Sequence, residues 1–122
     1  QSWKKEKKSI DVKLPDIDGI TKNTLVYIVN TYPELAERYL DFLGTLGVDF
    51  DATANDLNMN FEAAEKYIVS LKLQRYLEKL NSKRQILMNK LLSGDESVRD
   101  EITNIDADIK KYSEKLKLLI SL

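Results

Sequence analysis

The chain has 122 residues, a formal net charge of −1, 43% hydrophobic and 32% charged residues, and neither Cys nor His. That length predicts one domain, or one domain in two parts. The composition excludes disulfides, thiol catalysis and cysteine metal sites, and it removes the commonest general base and metal ligand. No apolar run approaches the ~20 residues of a membrane span.

Charge is unevenly placed. Residues 1–14 carry five lysines against Glu6 and Asp11, residues 15–65 ten acids against Lys22 and Arg38, and residues 66–122 twelve bases against eight acids. The acidic middle is a poor surface for nucleic acid, whereas cations on the last segment most often mean a solvated helix face.

Residues 1–20 read as a linker. Trp3-Lys4-Lys5-Glu6-Lys7-Lys8 is polar and basic, and Pro15-Asp16-Ile17-Asp18-Gly19 is turn chemistry. Ile10, Val12 and Leu14 alternate, but a lone strand has nothing to pair with. No apolar stretch follows the first lysines, so no secretory signal is expected. The chain reads as a piece of a longer protein.

Residues 21–60 are expected to form a small helical bundle. A first helix spans 24–31, capped by Thr21 or Asn23, and Pro33 stops it at Tyr32. Pro33 and Glu34 then suit the first turn of a second helix over 33–43, with Leu35, Tyr39, Phe42 and Leu43 on one face. Gly44 ends it and Gly47 adds a second break. Thr53-Ala54-Asn55-Asp56 resembles a capping box, which predicts a short helical turn near 53–58.

Residues 61–122 are expected to form a long helix and an antiparallel helical hairpin. Asn58 or Asn60 caps the long helix, whose stripe of Phe61, Ala64, Ile68 and Leu71 drifts to Leu73, Leu77 and Leu80. Its two halves therefore face different neighbours. Leu73, Leu77, Leu80, Arg84, Leu87 and Leu91 form one seam; Val98, Ile102, Ile105, Ile109, Tyr112, Leu116 and Leu119 form another. Alternating steps of three and four keep such a stripe on one side of a helix. Ser93-Gly94-Asp95 ends the first arm, and Asp95 or Ser97 caps the second. The fold class is all-α.

No catalytic constellation assembles. Asp49, Asp51 and Asp56 lack the central Gly and terminal Glu of a calcium-binding EF-hand, so they read as loop-capping acids. Asp16 and Asp18 fall in the linker, and Asp106 and Asp108 are two apart on a helix and do not share a face. Lys110, Lys111, Lys115 and Lys117 suit the helix dipole. Arg84, within the apolar seam, is expected to snorkel, to pair with an acid across it, or to meet a partner. Tyr76 lies just off its seam as a candidate aromatic anchor. Leu118 and Leu122 exceed what one seam requires, so the C-terminal end either packs on the bundle or docks.

The run from Leu25 to Leu35, apolar and then Pro33-Glu34-Leu35, resembles the opening of the C-terminal domain of bacterial DnaG-type primases. The stretch Ala63 to Leu119 resembles that domain's closing hairpin: Leu71, Leu77 and Leu80 in one arm, a Ser-Gly-Asp-Glu turn, then Ile102, Ile105 and Ile109. The resemblance implies a non-catalytic, cytoplasmic domain that docks a primase onto the N-terminal region of the replicative hexameric helicase. Catalysis would then lie in other domains of the parent protein, a nucleotidyltransferase. Partner contact is expected from Tyr76, Lys83, Arg84, Tyr112, Leu118, Ile120 and Leu122. No cofactor, metal, small-molecule substrate or membrane is expected. Two other readings stay open: an unrelated helical adaptor or scaffold, and a nucleic-acid-binding hairpin using Lys79, Lys83, Arg84 and Lys90.

Overall fold

The structure is a computed structural model that describes residues 17–121. Among those residues it is all-α, with five helices, one 3-10 turn and no strand. The alternating Ile10–Leu14 segment and most of the expected linker lie outside the described residues. The helices are α1 (Gly19–Thr31), α2 (Pro33–Arg38), α3 (Leu40–Thr45), α4 (Phe61–Leu92) and α5 (Arg99–Ser121). The chain divides into two compact units at Lys72 and Leu73, inside α4.

In the first unit, α1 carries five consecutive buried residues, Leu25 to Val29. A helical stretch apolar on every side, as these five residues are, belongs at the centre of a core. Leu35, Leu43, Leu46, Val48, Ala64 and Ile68 pack around it. The helix begins earlier than the expected residue 24. Asp18 is the cap, accepting from Thr21 N at 2.7 Å, rather than Thr21 or Asn23. Gly19 and Ile20, placed in the linker by sequence, form its first turn. The break at Tyr32 and the placement of Pro33 at the start of α2 are as expected.

The single helix expected over 33–43 is instead two six-residue helices divided at Tyr39. Gly44 does not end α3 but lies within it. The stop comes at Gly47, with φ of 70°. Val48 N donates to Leu43 O at 3.3 Å and Gly47 N to Gly44 O at 3.1 Å, the paired bonds of a Schellman motif. That motif needs a left-handed residue just past the cap, and only Gly47 sits there.

The helical turn expected near 53–58 is absent; residues 52–60 are irregular. Asp56 Oδ1 accepts from Asn58 N at 2.8 Å, a local bond that competes with helix. Asn58 adopts φ of 51°, a left-handed conformation that Asn tolerates. Two α1-side groups hold the segment: Asn30 Nδ2 donates to Ala52 O at 2.8 Å, and the Tyr32 hydroxyl to Met59 O at 2.7 Å. Asn60 then caps α4, accepting from Ala63 N at 2.8 Å.

In the second unit, the late half of α4 and α5 form an antiparallel hairpin. Leu80, Leu87, Val98, Ile102 and Ile105 are its buried seam, with Met88, Leu91, Ile109 and Tyr112 packed against them. The turn is a second Schellman motif: Asp95 N donates to Lys90 O at 3.0 Å and Gly94 N to Leu91 O at 2.9 Å, with Gly94 at φ of 104°. Asp95 caps a 3-10 turn at Glu96–Val98, and α5 begins only after it. Hydrogen bonds from the Ser97 hydroxyl and backbone hold the Asp95 carboxyl below its ordinary pKa.

Candidate interaction surface on the hairpin

Of the seven residues expected to meet a partner, the six that are described belong to the hairpin unit. Tyr76 and Tyr112 come together across it, with ring centroids 5.0 Å apart and planes at 88°, an edge-to-face pair. Tyr76 keeps 41% of its surface exposed, whereas Tyr112 is half-buried against the seam. The pair is thus both a packing element and an accessible one.

Arg84 resolves in favour of pairing. Its Nε donates to Asp106 Oδ1 on the opposite helix. Both side chains stay partly exposed, so the pair keeps water on one side and adds little to stability. Lys83 is half-buried beside it. Leu118 and Ile120 are 66% and 65% exposed. Leu122 lies outside the described residues.

Three features escaped the sequence reading. Lys111 and Lys115, whose positions also suit the helix dipole, lie with their Nζ atoms 5.4 and 5.3 Å from the Tyr112 ring centroid. That is cation–π distance. The signal was present as spacing, since Lys111 and Lys115, four apart, share the flank of the helix that borders Tyr112. Second, Leu92 is 80% exposed beside the turn, next to an open groove lined by Ile86, Asn89, Lys90, Ser93 and Asp95.

The third is a polar network in the first unit. The Tyr39 hydroxyl donates to Glu65 Oε2 at 2.9 Å, and Arg38 donates to the same oxygen. Arg38 also reaches Glu34 at 3.3 Å. The Tyr39 hydroxyl, then Arg38, hold the Glu65 carboxyl below its usual range. Burial, then the bond to Glu65, pushes the Tyr39 phenol up. These shifts favour the protonation states the groups already have near neutrality, which suits an element that ties α2 to α4. A proton-transfer site would need a shift in the other sense.

The loop acids behave as expected. Asp49 Oδ1 accepts from Asp51 N at 3.0 Å, closing a local turn. Among the described residues no three Asp, Glu, His or Cys side chains gather as a metal-binding group, and no helix is long and apolar enough to cross a membrane. No protein-family model, curated protein or solved structure matches this chain.

Proposed function

We propose that this chain is a non-catalytic protein-interaction domain and that its helical hairpin is the docking element. The supporting observation is an excess of apolar and aromatic surface outside the seam: Tyr76, Leu118 and Ile120 on a unit whose buried residues form one narrow stripe. An interface of modest size depends on a few such anchors.

The partner to test first comes from the resemblance to the primase C-terminal domain. It is the N-terminal region of a replicative hexameric helicase, bound in the cytoplasm during DNA replication. The parent protein would supply primase activity from other domains. Titration of the purified chain against that helicase region is the test. Tyr76→Ala, and separately truncation after Leu116, should weaken binding without unfolding the first unit. Binding should fall only modestly with salt if apolar anchors dominate. No association at concentrations on the order of 50 μM, with both proteins folded, would refute the helicase assignment.

A further inference from the structure

The hairpin has two flanks beside its seam, and one of them gathers lysines around an aromatic pair. On α4, Tyr76, Lys79, Lys83, Ile86 and Lys90 follow steps of three and four, so they share one flank of the helix. On α5, Lys111, Lys115 and Leu118 share a flank by the same rule. The Tyr76–Tyr112 pair, with both α5 lysines against the Tyr112 ring, brings the two flanks onto one side of the hairpin. Around that aromatic pair the surface holds Lys79, Lys83, Lys111 and Lys115, and by the same spacing Asp108 and, nearer the turn, Glu101 also lie on that α5 flank. Towards the turn acids outnumber bases, with Asp95, Glu96, Asp100 and Glu101 against Lys90 and Arg99.

Resting on the protein-interaction reading above, we propose that this flank binds an amphipathic helix of a partner protein whose apolar stripe is bordered by Glu and Asp. Two parallel ridges with heptad spacing form the groove into which a third helix packs. The aromatic pair and Leu118 would meet its apolar stripe, and the lysines would meet its acidic borders. Single-stranded nucleic acid fits less well. Its bases need open ring faces, and here the rings are engaged with each other and with two ammonium groups. Glu101 and Asp108 also interrupt a phosphate track along the same side.

The test uses the full chain, isotope-labelled, followed by NMR amide shifts. Three titrants are added separately: a synthetic amphipathic helical peptide with Glu bordering its Leu stripe, its counterpart with Lys in place of every Glu, and an oligothymidylate. The Glu peptide should shift amides around Tyr76, Lys79, Lys111 and Leu118, and the Lys peptide should not. Lys79→Glu combined with Lys111→Glu should weaken the Glu peptide at least about tenfold, because the reversal replaces attraction with repulsion, whereas added salt only screens the attraction and should weaken it less. Both lysines are exposed, and an unchanged circular dichroism spectrum checks the fold.

Several results overturn the proposal. Glu-peptide shifts on the opposite flank, near Met88 and Asp106, would do so while leaving the interaction reading intact. Equal binding of both peptides, or no binding up to about 1 mM, would also do so. In those cases the helicase titration still decides the broader reading. Tighter binding of the oligothymidylate on this surface would replace a protein partner with nucleic acid. Concentration-dependent shifts here without any titrant would make a second copy of the chain the occupant.

Discussion

Ile105 sits mid-seam in the hairpin, 6% exposed among Leu80, Leu87 and Ile102. Truncating it to Ala removes three carbons at ~0.8 kcal/mol each, or about 2.4 kcal/mol of transfer free energy. Two helices can close on the gap more readily than a deep core, so the total should stay near the low end of the ~2–5 kcal/mol seen for such truncations. Ile105→Asp loses the same apolar contact and also desolvates a carboxyl with no partner, for about 4 kcal/mol in all. Urea unfolding followed by far-ultraviolet circular dichroism measures both, and hydrogen exchange along α5 assigns the loss to the hairpin. The aspartate adds a signature of its own. Desolvation raises its folded pKa above the unfolded value, so its deficit is full at pH above that raised value and shrinks as pH falls through it. The gap between Ile105→Asp and the parent chain, compared at equal pH, should therefore narrow between about pH 7 and pH 4. Ile120→Asp, at a position 65% exposed, should stay within about 0.5 kcal/mol of the parent. Equal losses at the two isoleucines, or a gap that does not respond to pH, would show that the seam is wrongly drawn.

Gly94→Ala should destabilise the hairpin by about 1–2 kcal/mol, because its φ of 104° is a conformation that a Cβ penalises. Gly44→Ala should instead be neutral or stabilising by about 0.5–1 kcal/mol, since Gly44 is within α3 and a Cβ there meets nothing within 4 Å. Thermal melts of the two variants check the contrast, and equal effects would remove the argument for the turn. Glu65, with its folded pKa lowered, contributes stability that is present above the ordinary carboxylate pKa and lost as pH falls through its folded value. Glu65→Gln should therefore flatten part of the acid limb of the stability profile. An unchanged acid limb would mean that the Tyr39–Glu65–Arg38 network carries no linkage. Tyr39, with its pKa raised, contributes in the opposite range: present below the ordinary phenol value and lost as pH rises through its folded value.

The elements with a strong local signal were legible in the sequence. Heptad spacing identified the hairpin seam because a stripe repeating every three and four residues has one helical solution, and Gly94 marked its turn because few other residues accept positive φ. Pro33 fixed the α1–α2 break through its own ring sterics. Where local signals competed, tertiary partners decided. The capping-box pattern at 53–56 lost to an irregular loop whose carbonyls at Ala52 and Met59 are taken by Asn30 and Tyr32, residues more than twenty positions earlier. Tyr39 divides an otherwise plausible helix while its hydroxyl reaches Glu65 on α4. Arg84 could be recognised as anomalous within the seam, but its choice of Asp106 depends on the register of two antiparallel helices. The same register joins Tyr76 to Tyr112 and sets the lysines beside them. Periodicity along one chain says which residues share a face; only packing of two faces says which side chains meet, because that is fixed by the rotation and offset between helices.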